Sequence, residues 1–256
     1  MNDVPLASMI VVSWNRKERL RKCLRSVMTQ SYRHIKVVVI DNASTDGSAE
    51  MVREEFPFVK LIQLDRNVGC PGGRNIGVLN STGRFLFFLD DDCYGDAEAV
   101  KTVVERFAND DAIGIIAPRI IEFGHPRPMP GDPAGQIERY LPVFFGVSAI
   151  RRSVFDTCGL YPTDFAYGGE ESDLALRLLY NGGRILYSPD VAVYHEPAKN
   201  RDANWELRCR LLNSLQTLWK YAPWSRALAG TIVKPLEFLC VAWHQKCLRG
   251  WLRALV

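Results

Sequence analysis

Apolar residues in this chain fall into short unbroken runs, and stretches with helical spacing lie between them. "ASMIVVSWN" (7–15) is a β-branched run that predicts a strand, and "RKERLRKCLRSVMTQ" (16–30) puts Leu20, Leu24, Val27 and Met28 on one helical face. "IKVVVIDNASTDGS" (35–48) repeats the scheme, with a strand, a polar turn and then a helix from about Ser48 to Phe56. "FVKLIQL" (58–64) predicts a third strand, "PGGRNIGVLNS" (71–81) a helix with a glycine-rich start, and "RFLFFL" (84–89) a strand buried on both faces. A helix over 96–110 and a strand over 112–118 follow. Continuous apolar strands alternating with helices predict an α/β fold whose mostly parallel sheet is covered on both sides.

From Pro118 to Pro142 the period is lost, and six prolines predict a loop long enough to act as a lid or wall. "VFFGVSAIRR" (143–152) reads as a strand, "EESDLALRLLYNGG" (170–183) as a helix with acids in its first turn, and 184–188 and 191–195 as two short strands. No internal repeat is visible.

In open α/β sheets, ligands bind beyond the carboxyl ends of the strands. Polar clusters fall at four such ends: Ser13-Trp14-Asn15-Arg16, Asp41-Asn42, Asp65-Arg66-Asn67 and Asp90-Asp91-Asp92. One cluster is ordinary turn chemistry, but four on successive strands predict the rim of a site. Three adjacent like charges exceed what a helix N-cap near Asp96 requires. They suit Mg2+ or Mn2+, which binds hard oxygen ligands together with substrate phosphates.

The glycines at 69, 72, 73 and 77 lack the G-x-G-x-x-G order of a dinucleotide site. They fit either close approach of backbone to a ligand, with Arg74 near phosphate, or tight packing of helix on strand. Glu170, Glu171 and Asp173 follow two glycines; they complement the helix dipole or, in a partly dry pocket, include a general base. His195 follows a strand and alone carries little.

Taken together, "VVSWNR" (11–16), "VVVIDNASTDGS" (37–48), "NVGCPGGRNIG" (67–77), "FLDDDC" (88–93), "GGEESDLALRL" (168–178) and "VAVYH" (191–195) resemble the family 2 glycosyltransferases of the GT-A fold, of the inverting, bacterial rhamnosyltransferase-like kind. The resemblance runs from Val11 to about Leu218. It implies that Ser13, Asn15 and Arg16 line a nucleotide pocket and that Asp41 meets the base or ribose. Asn67 to Asn75, including Gly73 and Arg74, would flank nucleotide and sugar. Asp90 to Asp92 would form the Asp-x-Asp motif, with Asp92 the direct metal ligand, Asp90 a second contact, Asp91 at the donor and His195 completing the metal site. Glu170-Glu171 matches the family's Glu-Asp pair, whose second member is the base; here that position is Glu instead of Asp. The Gln-x-x-Arg-Trp motif of processive synthases is missing, so transfer of one or a few sugars is implied. The implied donor is a nucleotide-diphosphate sugar, UDP or dTDP ahead of GDP, and the implied acceptor a glycan or lipid-linked hydroxyl.

Two rivals use the same acids. A carboxylate-pair glycoside hydrolase needs neither the Asp41 rim nor a metal. A non-catalytic membrane scaffold would not need metal, nucleotide and base candidates at once. A sugar-nucleotide pyrophosphorylase would carry a glycine-rich loop where "SWNRKERL" stands.

Composition adds compartment and charge. The 256 residues are 47% hydrophobic and 24% charged, as in an ordinary globular protein. No basic start followed by an apolar stretch is visible, so no signal peptide is expected. Seven cysteines without CxxC spacing predict reduced thiols in the cytoplasm, and neither zinc nor disulfides. Net charge is +3, yet residues 199–256 hold ten Lys/Arg against three Asp/Glu and five of the six tryptophans. This divides the chain into a catalytic domain (1–198) and a basic, Trp-rich helical extension (199–256). "ELRCRLLNSLQTLWKYAPW" (206–224) is amphipathic, and 227–256 is apolar but interrupted by Lys234, Pro235 and Glu237. Such helices suit the surface of an anionic membrane, here its cytoplasmic face, with a helix pair packed on the body, or a dimer contact, as the alternative. No nucleic-acid partner is expected.

Overall fold

A computed structural model describes residues 4–122, 125–126, 137–165, 168–196, 202–244 and 246–254. Strands β1 (Ala7–Ser13), β2 (Ile35–Asp41), β3 (Lys60–Gln63) and β4 (Phe85–Asp90) are parallel neighbours, in the order β3-β2-β1-β4. Helices α1 (Lys17–Met28), α2 (Ser48–Glu55) and α3 (Gly69–Leu79) connect them, as the periodicity predicts. The register sets Ser13 beside Asp41 and Val12 beside Asp90, so the polar ends lie in one row.

The far half of the sheet departs from expectation. β6 (Ile113–Glu122) runs through Pro118 into the segment expected to be loop. Pro118 lies opposite Ser188, where the pairing with β10 (Arg184–His195) shifts register. That shift lets β10 continue as one strand where two were expected. Most of the remaining loop, 123–124 and 127–136, lies outside the described residues; β7 (His125–Pro126) and β8 (Arg139–Tyr140) add short antiparallel pairs. The strand expected over 143–152 is only β9 (Ser148–Arg151), followed directly by α5 (Arg152–Cys158). β9 runs antiparallel between β4 and β6, and β5 (Cys93–Gly95) antiparallel to β10, so the sheet is mixed. α4 (Ala99–Asn109) follows β5, and α6 (Glu170–Tyr180) precedes β10.

Alternate residues of each strand feed two cores. Met9, Val11, Phe85, Phe87 and Leu89 join Leu20 and Leu24 of α1 and Val103 and Phe107 of α4 on one face. Ile10, Leu86, Phe88 and Ile150 join Val78 of α3, Phe155 of α5 and Leu174 and Leu178 of α6 on the other. This is what an apolar run buried on both sides requires. α3 comes unusually close to β1: a Cβ on Gly73 would sit 2.6 Å from Val12, and one on Gly77 2.3 Å from Ile10. The glycine run therefore serves packing of helix on strand.

The tail folds into α7 (Ala203–Tyr221), α8 (Trp224–His244) and α9 (Leu248–Ala254) around Leu207, Ala242 and Cys247. α8 continues through Pro235, and no described helix is long and apolar enough to cross a membrane, as the interruption of this apolar stretch by Lys234, Pro235 and Glu237 predicts.

Candidate active site

The three consecutive carboxylates point three ways. Asp91 turns inward, is 5% exposed, and accepts from Ser13 Oγ at 2.8 Å and Arg16 at 2.9 Å. Burial pushes its carboxyl up to about 6 even with Arg16 beside it. Ser13 and Asp91, expected against the donor, therefore brace the rim from below. Asp92 meets Arg16 at 2.9 Å, Arg19 at 3.3 Å and His195 Nε2 at 3.4 Å. The short strand β5 brings this about, because it pairs Cys93 with His195 and delivers Asp92 to the end of β10. The bond to Asp92 holds the His195 imidazole above its usual value, and Glu122 contacts the other ring nitrogen at 3.2 Å.

Ligand atoms of Asp92, Cys93 and His195 all lie within 4.8 Å of one another. Burial pushes the Cys93 thiol far up, which keeps it protonated and a poor ligand. The carboxylate and imidazole that remain fit a divalent ion such as Mn2+ or Mg2+ coordinated jointly with phosphate oxygens. Asp90, expected as a second metal contact, is not in that group; its carboxylate turns to Arg74 at 3.1 Å.

Arg74 is the centre of the second cluster. It is 5% exposed and reaches Glu171 at 2.9 Å, Glu170 at 3.3 Å and Asp90 at 3.1 Å. Its plane also lies over Tyr161, 5.8 Å from the ring centroid. Arg74, expected near phosphate, is thus held by three carboxylates. Glu170 is 3% exposed and its Oε2 has no hydrogen-bond partner among the described residues; burial, and then the charge of Glu171, push it up to about 7. The Glu171 side chain keeps 15% exposure. Of the pair, Glu171 is the one a substrate can meet.

The loops on the other side of the rim are tied together. Asn15, in the left-handed region at φ 53°, donates its N–H to Ser44 Oγ at 2.9 Å and accepts from Thr45 N–H at 2.7 Å. Asn42 bridges to Gly69 O and Val68 N–H. Exposed Asn67 accepts from Gly69 N–H at 2.8 Å. Asp41 is wholly buried; one oxygen accepts from Ser44 N–H at 3.3 Å and Oδ2 has no partner. Asn75, expected at the donor, has both amide atoms engaged with the Tyr161 backbone, at 2.8 and 2.9 Å. Together with Gly73 it belongs to the packing.

Sequence reasoning missed Arg19, Glu122 and Tyr161. Arg19 carried a signal, since it lies one helical turn beyond Arg16 in a basic helix. It also missed how α7 meets the turn at Gly168–Gly169 and the start of α6. Asn213 donates to Gly168 O and lies 3.1 Å from where a Cβ on Gly169 would stand, and Gln216 donates to Asp164. Lys220 and Tyr221 each donate to fully buried Asp173 at 2.6 Å. The helix-on-body alternative therefore holds for α7.

Residues 8–160 match the family described as "Glycosyl transferase family 2", more than half of the chain. The chain is 34% identical over 112 residues to "Glycosyltransferase GlyA" of Streptococcus pneumoniae serotype 4, covering 42% of this chain and 16% of that protein. The structure of GalNAc-T7 with UDP, GalNAc and Mn2+ superposes with a TM-score of 0.70 at 20% identity, over 85% of this chain and 48% of that one. The mannosyltransferase PcManGT from Pyrobaculum calidifontis, in complex with GDP-Man and Mn2+, gives a TM-score of 0.69 at 22% identity, over 99% and 75%. At these identities the two structures speak to the fold. The chain spans less than half of the first relative and the first structure.

Proposed function

The chain belongs to glycosyl transferase family 2 and has the GT-A fold, and on that premise we propose that it is an inverting, non-processive glycosyltransferase. It moves a sugar from a nucleotide-diphosphate donor to an acceptor hydroxyl of a lipid-linked or cell-surface glycan, on the cytoplasmic face of a membrane. The observation that carries this reading is the joining of two unlike clusters on one rim: Asp92 with His195, and Glu171 with Arg74, linked through Asp90.

Glu171 takes the proton from the acceptor hydroxyl as that oxygen attacks the anomeric carbon. Arg74 fixes the carboxylate, and buried Glu170 lies behind it on the same guanidinium. A single displacement by one base inverts the anomeric centre. Asp92 and His195 would hold Mg2+ or Mn2+, which supplies positive charge to the departing diphosphate when bound. Arg16 and Arg19, which sit on Asp92 in this structure, lie close enough to share that task. Asp41 Oδ2 is a buried acceptor without a partner among the described residues, which a ring N–H of the nucleotide base would satisfy.

Titration calorimetry with UDP, dTDP and GDP, with and without Mn2+, tests the reading. Binding is expected to require Mn2+ and to be lost in Asp92→Ala, with the folded spectrum unchanged. Failure of all three nucleotides to bind in the presence of Mn2+ would remove the donor site, and with it the proposal.

A further inference from the structure

Five tryptophans and a basic balance in residues 199–256 made the whole tail a candidate for membrane contact. The structure distributes these residues unequally. Trp251 lies inside the tail core and donates its indole N–H to Pro235 O at 2.6 Å. Trp219 donates to Thr231 of the neighbouring helix at 3.0 Å. Neither indole is directed outward in the way an anchor needs.

α8 is different. Its inner side is taken: Ala227 and Ala242 are buried, and the missing side chain of Gly230 makes room for Leu218 of α7. Along the same helix runs a set of large apolar side chains that the described residues leave exposed. Trp224, Leu228, Ile232, Leu236 and Trp243 are 75%, 49%, 70%, 57% and 71% exposed. Their spacings of four, four, four and seven residues keep all five within an arc of about 120° at 3.6 residues per turn. Single exposed apolar residues are ordinary, but five large ones along one side of a helix make a contact surface.

We infer that this strip is the docking face, and that α8 lies flat in the interface of an anionic phospholipid bilayer. Charge decides the occupant. Arg226, Lys246, Arg249 and Arg253 are exposed along α8 and α9, while Lys234 is spent on Glu237 at 2.7 Å. A second copy of the chain would bring the same cations against themselves, whereas anionic headgroups neutralise them. A flat pose follows from length and polarity, since no described helix is long and apolar enough to cross a membrane. Two indoles, Trp224 and Trp243, then sit at headgroup depth near the two ends of one helix. The inference rests on the proposed reading only for the location of the acceptor.

Flotation of the full chain with phosphatidylcholine vesicles, with and without one quarter phosphatidylglycerol, tests it. The chain is expected to float with the anionic vesicles and to be recovered several-fold less at high salt, without complete release. Leu236→Gln combined with Trp243→Ser should lower recovery about tenfold, since both side chains are exposed and the fold does not depend on them. Binding of UDP, dTDP and GDP in the presence of Mn2+, measured on the same protein, separates the two ideas, the transferase reading falling only if all three fail. Lost nucleotide binding with intact flotation sinks the transferase reading and leaves the docking face standing. Equal recovery of wild type and double variant overturns the strip, as does equal flotation with neutral vesicles for the anionic surface. A dimer in light scattering that the double variant dissolves, with no vesicle binding, would hand the face to a second copy.

Discussion

Glu170 and Asp173 stand one turn apart on α6 and are both buried, yet their surroundings treat the two charges oppositely. Glu170 faces the cleft, shares the one cation Arg74 with Glu171 and Asp90, and is pushed up to about 7 by burial and by its neighbour. Asp173 faces the tail, and although burial pushes it up, Lys220, Tyr221 and Arg177 more than offset this and hold it below the usual range. The cleft side is short of donors and keeps its carboxylates reactive. The tail side has donors to spare, and its carboxylate is a fastener. One helix thus carries the proposed base on a turn that α7 secures.

The sharpest break of the comparison is Asp173→Asn. It leaves Arg177 and Lys220 without their carboxylate and points an amide N–H2 at groups that are themselves donors. Removing one member of a buried ion pair costs about 3–5 kcal/mol, a large part of the ~5–15 kcal/mol that holds a domain folded. Because the Asp173 pKa is depressed, its contribution is fully present above the unfolded value and is lost as pH falls through the folded one. The deficit of Asp173→Asn in a denaturant titration should therefore be the same at pH 6 and pH 8 and shrink below about pH 4. A variant as stable as the parent would show that α7 does not secure this turn.

Next in size is the base. Glu171→Gln keeps the bond to Arg74 in outline but cannot take a proton, so turnover should fall ~10²-fold or more, about 2.7 kcal/mol in the barrier. Nucleotide affinity in the presence of Mn2+ should change less than twofold. If Glu170→Gln proves to be the inactive variant while Glu171→Gln turns over, the buried member of the pair is the base and the roles exchange.

The strand ends were legible because each of these apolar runs stops abruptly at a polar residue. Ser13, Asp41 and Asp90 are such stops, and parallel register put them in one row. The direction of each carboxylate was not legible. Asp90, Asp91 and Asp92 are adjacent in sequence and diverge only because a three-residue strand, too short to show alternation, turns the chain towards β10. The antiparallel β9 escaped for a related reason: four residues with both neighbours apolar give no sign of direction. Arg74, Gly73 and Asn75 were assigned to the donor from local pattern, while their partners, Glu170, Val12 and Tyr161, come from other elements of the fold. Pro118 reads as a breaker, yet it falls at a register shift where the pairing is already interrupted.

The smallest of the three effects has the opposite sign to the first. In Glu170→Gln a buried carboxylate with one unpartnered oxygen becomes a neutral amide, while Arg74 keeps Glu171 and Asp90. The folded pKa of Glu170 is raised, to about 7 from 4.5, so the folded state binds this proton more tightly than the unfolded chain. Each step in pH between those values removes stability, and above the upper one the full penalty applies. Substitution should accordingly raise stability at pH 8, by about 2 kcal/mol once the lost bond to Arg74 is set against the relieved charge. The gain should fade as pH drops through 7 and vanish near 4.5, where both parent and variant are neutral at this position. Thermal melts of the two proteins from pH 5 to pH 8 read this directly. Melting curves that differ by the same amount across that range would show that Glu170 carries no unusual proton, and the contrast with Asp173 would then reduce to hydrogen-bond count alone.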